Sequence, residues 1–302
     1  MNSIQTNFPP GSSWLYYKLY ISSSHADQFL VKKLLPFVKR LLSKKEINKF
    51  FFIRYNDPSF HLRIRFHISD REVIEKISDF FYKNTEKLIA NDIVWKYEIS
   101  TYTREMERYN PILIDDVEDL FQTDSLNCLS ILKEVSELPD KEEATWKLAL
   151  KNIDYYLNTF LNNQLEMKEF VITQMSESFK AEFGFTEFNS KQLNSIYRDN
   201  RKIIDQIISE NETEDHVGLF YNSIKKQHPN FLKTANALLE KCNQHQISIH
   251  LYLSSYIHMM MNRIFPSKNR LFELMLYFLL SKHYKGMISQ QKYNSTSKEK
   301  QS

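Results

Sequence analysis

The sequence predicts an α+β fold, and three observations carry that reading. Short aromatic and β-branched runs crowd the first hundred or so residues and alternate there with amphipathic helical stretches. From Pro111 onward the apolar spacing is almost wholly helical. Only 4 glycines occur in 302 residues, against an average usage of roughly 7%. Few positive-φ turns are therefore available for a hairpin-rich barrel.

The elements follow in order. WLYYKLYI, from Trp14, has the composition of a strand. After a run of serines, ADQFLVKKLLPFVKRLLSKK has helical spacing, with a kink expected at Pro36. KFFFIRY is a second strand, NDPS a turn and HLRIRFHI, from His61, a third strand. Asp70 is a candidate N-cap for an amphipathic helix reaching Lys87, and DIVWKYEIST, from Asp92, is a fourth strand. This βαββαβ order is the ferredoxin-like arrangement, a four-stranded antiparallel sheet with two helices on one face. Helices are then predicted near 111–122, 126–137, 142–163, 188–210, 228–244, 247–264 and 268–285. Residues 166–186 read as a loop or extended insertion, and the polar end of the chain as disordered. The expected organisation is an α/β part over 12–110, a helical part over 111–288 packed against it as one integrated domain, and a tail over 289–302.

Composition narrows the function classes. Lys and Arg number 40 against 37 Asp and Glu, so no global field draws the chain to nucleic acid or an anionic membrane. The amino terminus lacks a signal-peptide pattern. The apolar run LFELMLYFLL, from Leu271, is half the roughly 18 residues a membrane span requires. The chain reads as cytoplasmic. Cys128 and Cys242 each sit in an apolar helical run as buried thiols. No GxGxxG, P-loop, GxSxG, HExxH or CxxC occurs, and no cofactor or metal site is implied.

Three stretches carry chemistry. In HLRIRF, alternation sends Leu62, Ile64 and Phe66 to the helix-covered face and His61, Arg63 and Arg65 to the other. Residues two apart on a strand are roughly 6.5–7 Å apart, so two guanidiniums can clamp a substrate with two anionic groups. Arg54, on the neighbouring strand, is expected to join them. A solvated polar face would show the same pattern. YTREMERYNP, from Tyr102, crowds Arg104, Glu105, Glu107, Arg108 and Tyr109 where the helical half begins, a mixed-sign turn that also suits plain surface. In SSYIHMMMNRIF, from Ser254, helical spacing places His258 beside Ser254 and Asn262, amid three methionines. Such a histidine serves either as a hydrogen-bonded core residue or as a proton carrier in an apolar cleft.

These stretches in this order resemble the thiopeptide-type bacteriocin biosynthesis domain. In class I lanthipeptide dehydratases this is the C-terminal, glutamate-eliminating part. The resemblance spans roughly 12–288 and rests on RYNDPSFHLRIRF, on EMERY and on the His258 helix. Asn110-Pro111 departs from the two glycines common in the family, which bears on the backbone of that loop. The resemblance implies the stand-alone elimination half of a split dehydratase. A separate tRNA-dependent protein would glutamylate Ser or Thr of a leader-bearing precursor peptide. This chain would expel glutamate to leave dehydroalanine or dehydrobutyrine, ahead of a downstream cyclase. It implies His258, Arg65 and Arg108 as catalytic residues. Arg63, Arg104, His61, Arg54, Tyr109 and Asn262 would bind substrate, with the choice between Arg104 and Arg108 left open.

Other readings compete. Pyridine synthases of the same family join two dehydroalanines by a formal [4+2] cycloaddition with leader release, and would need no glutamate site. A non-catalytic module would lend a sheet edge or groove to a precursor peptide. An RRM shares the βαββαβ order but displays aromatics where this chain has His61, Arg63 and Arg65, so direct nucleic-acid binding is disfavoured.

Overall fold

The computed structural model describes residues 4–209 and 228–299. Their contacts divide them into two compact units. One holds 4–137, 228–248 and 262–266; the other holds 138–209, 249–261 and 267–299.

The first unit begins with β1 (Asn7–Phe8) and β2 (Trp14–Ile21). The chain continues as α1 (Ser23–Phe29), a π-helical segment (Leu30–Leu34) and α2 (Leu35–Ser43). Pro36 lies in the first turn of α2, where its missing N–H costs little, and the wider π turn precedes it. Next come β3 (Ile47–Tyr55), β4 (His61–Ile68), α3 (Glu72–Ala90) and β5 (Val94–Ser100). Asp70 Oδ1 accepts from Glu72 N at 2.9 Å at the start of α3.

The sheet order is β3-β4-β2-β5, antiparallel throughout. This is the ferredoxin-like topology, so the α+β expectation holds. Leu15, Tyr17, Leu19, Phe50, Phe52, Leu62, Ile64 and Phe66 form one buried cluster with apolar residues of α1, α2 and α3, including Phe29, Phe37, Ile77 and Phe81. At roughly 1.5–3 kcal/mol per buried large side chain, this layer fixes which way β4 faces. A one-residue slip would exchange its arginines with its core residues.

A two-stranded ribbon of β1 with β6 (Tyr102–Thr103) follows, then the short α4 (Met106–Tyr109) and α5 (Ile114–Ser136). Helix α5 covers one sheet edge. Phe50 N donates to Gln122 Oε1 at 2.9 Å and Phe52 N to Ser125 Oγ at 3.2 Å, so the outward N–H groups of β3 are satisfied by side chains. The two helices predicted over 111–122 and 126–137 are thus one continuous helix, since nothing in QTDS breaks it.

The second unit contains α6 (Lys141–Phe160), α7 (Leu165–Glu182), α8 (Glu187–Ile208), the first twelve residues of α10 (His250–Ile264) and α11 (Asn269–Glu299). Helix α9 (His228–Gln244) belongs to the first unit. Of the segment read as a loop over 166–186, residues 166–182 are helical in α7. Its apolar residues do not mark one clear stripe, which hides the period, but Val171, Ile172 and Met175 are buried. The polar end of the chain is also helical as far as Glu299, because no residue after Gly286 breaks a helix. The predicted spans ending at 210 and at 302 pass outside the described residues. Asp154 anchors a buried polar cluster in this unit, accepting from Tyr284 Oη at 2.6 Å and pairing with Lys168 at 3.4 Å. Among the described residues no helix is long and apolar enough to cross a membrane. Cys128 and Cys242 are both buried free thiols.

Candidate functional site

The β4 register determines the cationic face. Arg65 lies opposite Tyr16 of β2 and Phe51 of β3, Arg63 opposite Lys18 and Ile53, and His61 opposite Tyr55. Cross-strand partners share a face, so these residues line the side of the sheet away from α1–α3. The β1–β6 ribbon and α5 contribute a further aromatic layer around Arg65. Trp14 is 5.4 Å from Phe51 and 5.1 Å from Tyr102, and Phe51 is 5.5 Å from Phe121.

Arg65 is only 7% exposed. Its guanidinium carbon is 4.3 Å from the centroid of the Tyr16 ring, 5.0 Å from Phe51 and 5.1 Å from Tyr102. Its Nε has no hydrogen-bond partner, and it forms no ion pair among the described residues. Burial pushes its pKa down, while Tyr16, Tyr102 and Glu105 pull the other way. An arginine nevertheless keeps its charge. A buried cation held by ring faces alone is what an incoming carboxylate would neutralise.

Arg63 is half-buried, with its guanidinium carbon 3.4 Å from the centroid of the Tyr55 ring. Its Nε donates to His61 Nε2 at 3.1 Å, and His61 Nδ1–H donates to the Ser59 carbonyl at 2.8 Å. Those two bonds require a neutral imidazole. Burial lowers the His61 pKa, outweighing the Ser59 bond that raises it. His61 therefore orients Arg63 and adds no charge of its own.

Arg54 does not join this group. Its partner across the hairpin is Leu62, so it lies on the helix-covered face. There its Nε donates to the Arg263 carbonyl at 2.8 Å, and Nη2 pairs with Asp27 at 2.6 Å. The register across the NDPS turn decides this, and counting residues within one strand does not reveal it.

The geometry also separates Arg104 from Arg108. Arg104 makes a two-pronged bridge to the buried Glu118, at 2.7 and 2.6 Å, and meets Asp115 at 2.6 Å. Tyr102 Oη donates to the same Glu118 at 2.9 Å, and burial followed by the Glu118 charge raises the Tyr102 pKa well above its usual value. Arg104 is thus committed to holding α5 against the β1–β6 ribbon. Arg108 is partly exposed and meets Glu105 at 3.4 Å. Tyr109 is buried edge-on against Phe121 at 5.1 Å, and its hydroxyl is pushed up to about 12 by burial. Asn110 adopts φ +67 with ψ 127, positive-φ backbone outside the left-handed helical region and more open to glycine than to a residue with a side chain. Its Oδ1 accepts from Ile112 N at 2.9 Å. The asparagine thus takes up a positive-φ turn where the family commonly has glycine.

In the second unit, His258 of α10 is 22% exposed at its side chain, and Nδ1–H donates to Glu273 Oε1 of α11 at 2.8 Å. Glu273 is fully buried, and its other oxygen accepts from Tyr277 Oη at 3.4 Å. A carboxylate that accepts from Nδ1–H fixes the neutral tautomer with its lone pair on Nε2. Asn262 follows one turn later on α10 and is half-buried. The sequence reading missed Glu273. The available signal was a lone carboxylate in LFELMLYFLL, where burial demands a donor.

Comparison with known proteins adds four likenesses. A family model described as lantibiotic biosynthesis dehydratase C-term matches residues 14–284. The epidermin biosynthesis protein EpiB of Staphylococcus epidermidis is 26% identical over 270 residues, covering 85% of this chain and 25% of that protein. The chain thus spans about a quarter of the length of that relative. In fold it is similar to the tRNA-dependent lantibiotic dehydratase MibB from Microbispora sp. 107891, with TM-score 0.70, 17% identity and coverage of 94% of this chain and 29% of that one. It is also similar to TbtD, the pyridine synthase from thiomuracin biosynthesis, with TM-score 0.57, 13% identity and coverage of 90% and 98%.

Proposed function

Because the chain belongs to the lantibiotic biosynthesis dehydratase C-terminal family, we propose that it carries out the glutamate-elimination step of peptide dehydration. The substrate is a precursor peptide whose Ser or Thr hydroxyl has been esterified with glutamate by a tRNA-dependent activity. The observation that carries this reading is Arg65, a buried guanidinium with ring faces around it and no carboxylate paired to it among the described residues.

In the elimination, His258 Nε2 takes the proton from the α-carbon of the esterified residue. The β-carbon–oxygen bond breaks, its electron pair leaves with the glutamate carboxylate, and a Cα=Cβ double bond forms. No electrons are exchanged with an outside carrier. Negative charge grows on the peptide carbonyl and on the departing carboxylate, while the glutamate side chain is anionic throughout. Arg65 and Arg108 meet the developing charge, which lowers the barrier more than it tightens substrate binding. Arg63, held by His61, meets the side-chain carboxylate. Glu273 stabilises the imidazolium that forms. Tyr109 and Asn262 line the peptide. Arg104 and Arg54 stay with their structural partners.

The test is mass spectrometry of a synthetic leader-bearing peptide with one glutamylated serine, incubated with the protein alone. Loss of glutamate to give dehydroalanine is the expected result. An unchanged glutamyl peptide, alongside ring closure of a peptide carrying two dehydroalanines, would reassign the chain to the reaction for which TbtD is named.

A further inference from the structure

Arg63 and Arg65 differ in what holds them. Three rings enclose Arg65, whereas Arg63 is half-buried. A half-exposed arginine ordinarily samples many rotamers, and an arriving anion must then overcome the freedom that is lost. Here two contacts remove that freedom in advance. Tyr55, the last residue of β3, is paired with His61 and so lies diagonally across the hairpin from Arg63. Its ring lies under the guanidinium, 3.4 Å from centroid to carbon. His61 Nε2 accepts the Nε–H at 3.1 Å, and His61 is itself fixed by the Ser59 carbonyl and by stacking on Tyr20 at 4.6 Å. That leaves Nη1 and Nη2 with no hydrogen bond or ion pair among the described residues.

Tyr55 is 37% exposed, and its hydroxyl forms no hydrogen bond among the described residues. It belongs neither to the core nor to a polar network. A ring face steadies a cation without neutralising it. A carboxylate in the same place would fix Arg63 equally well but would occupy its charge, as Asp27 does for Arg54. We infer that Tyr55 is a positioning residue, which holds Arg63 ready for the side-chain carboxylate of the glutamyl group. The identity of that ligand rests on the elimination reading above. The glutamate side chain is anionic before, during and after elimination, so its anchor acts equally on the ground state and the transition state. Loss of Tyr55 therefore weakens binding and leaves kcat in place, the reverse of the effect expected at Arg65.

The test measures binding and chemistry on separate peptides. One leader-bearing peptide carries glutamate on diaminopropionate through an amide, whose nitrogen is too poor a leaving group to be eliminated. A second carries glutamine in the same place, and a third carries the glutamyl serine ester. The wild-type chain is expected to bind the glutamyl amide more tightly than the glutaminyl amide. Tyr55→Leu should weaken glutamyl binding roughly 2- to 30-fold, with kcat on the ester and the circular dichroism spectrum unchanged. Tyr55→Phe keeps the ring and should match the wild type. In an Arg63→Gln background, Tyr55→Leu should add nothing further. A wild type indifferent to glutamate and glutamine would overturn the inference. So would a Tyr55→Leu loss that persists in the Arg63→Gln background, or one that appears in kcat alone. A preference for the glutamyl amide that Tyr55→Leu abolishes, with no elimination from the ester, would support the inference and overturn the elimination reading.

Discussion

Arg65 and Arg263 are both buried arginines of the first unit, and replacing each by methionine should have very unequal consequences for stability. Arg263 is fully buried, with Nη1 at 2.5 Å from Asp124 and Nε donating to the Phe52 carbonyl at 2.8 Å. Removing it leaves a buried carboxylate without its cation, at a cost of about 3–5 kcal/mol. Arg65 has no such partner to strand. Its removal relieves an uncompensated charge, whose effective burial penalty is about 3–4 kcal/mol after relaxation. Against that stand contacts with three rings, worth from about 0.5 to about 2 kcal/mol each as they lose solvent. The two sides nearly cancel, so Arg65→Met should shift stability by no more than about 2 kcal/mol in either direction.

The assay is urea denaturation followed by far-ultraviolet circular dichroism, with elimination from a glutamylated peptide measured on the same samples. Arg65→Met should move the midpoint only slightly while lowering elimination about 10²–10³-fold, the usual loss for one donor at a developing charge. Arg263→Met should lower the midpoint sharply. An Arg65→Met protein as unstable as Arg263→Met would show that Arg65 serves the fold. The functional reading of the cationic face would then fail with it.

Four further outcomes are expected. His258→Ala should abolish elimination with peptide binding retained; loss of binding as well would point to a structural histidine. Glu273→Gln still accepts from Nδ1–H but lacks the carboxylate charge, so elimination should fall with peptide binding retained; unchanged elimination would remove Glu273 from the mechanism. Arg104→Ala should destabilise by about 3–5 kcal/mol because Glu118 is left buried and unmatched, whereas Arg108→Ala should change the urea midpoint by less than about 1 kcal/mol while impairing elimination. Burial holds His61, His67 and His283 below the usual histidine range. The unfolded chain then takes up protons from about pH 6.5 downward that the folded chain resists. Stability should be level above neutrality and fall as pH drops from there toward the folded values, and His67→Gln should flatten that slope.

Much of the first unit was legible because strand alternation and helical spacing are local signals. HLRIRF assigned its own faces, since Leu62, Ile64 and Phe66 can only point to the core. Arg54 was misplaced for the same reason: its face depends on pairing with β4, which no single strand encodes. Arg104 and Arg108 are four apart and chemically identical, and only Glu118, a full turn into α5, distinguishes them. Helix α7 escaped notice because its buried stripe, Lys168, Val171, Ile172, Met175 and Ser176, includes two polar residues while the apolar Phe170 is exposed. Glu273 was visible as a lone acid among apolar residues, but its partner is fifteen positions away.

The arginines of this chain show why residue identity alone does not mark a site. Arg54, Arg104 and Arg263 are as buried as Arg65, yet each meets a carboxylate of its own chain at 2.5–2.6 Å. Those three have been neutralised by folding, and a substrate carboxylate would have to displace Asp27, Glu118 or Asp124 to reach them. Arg65 instead faces Tyr16, Phe51 and Tyr102, which stabilise a cation without supplying a negative charge. Its solvation cost is met only in part, and the remainder is available to whatever anion arrives. An anion that gains charge during the reaction recovers more of it than one already bound. That difference is why the proposed elimination is assigned to Arg65 among the four buried arginines.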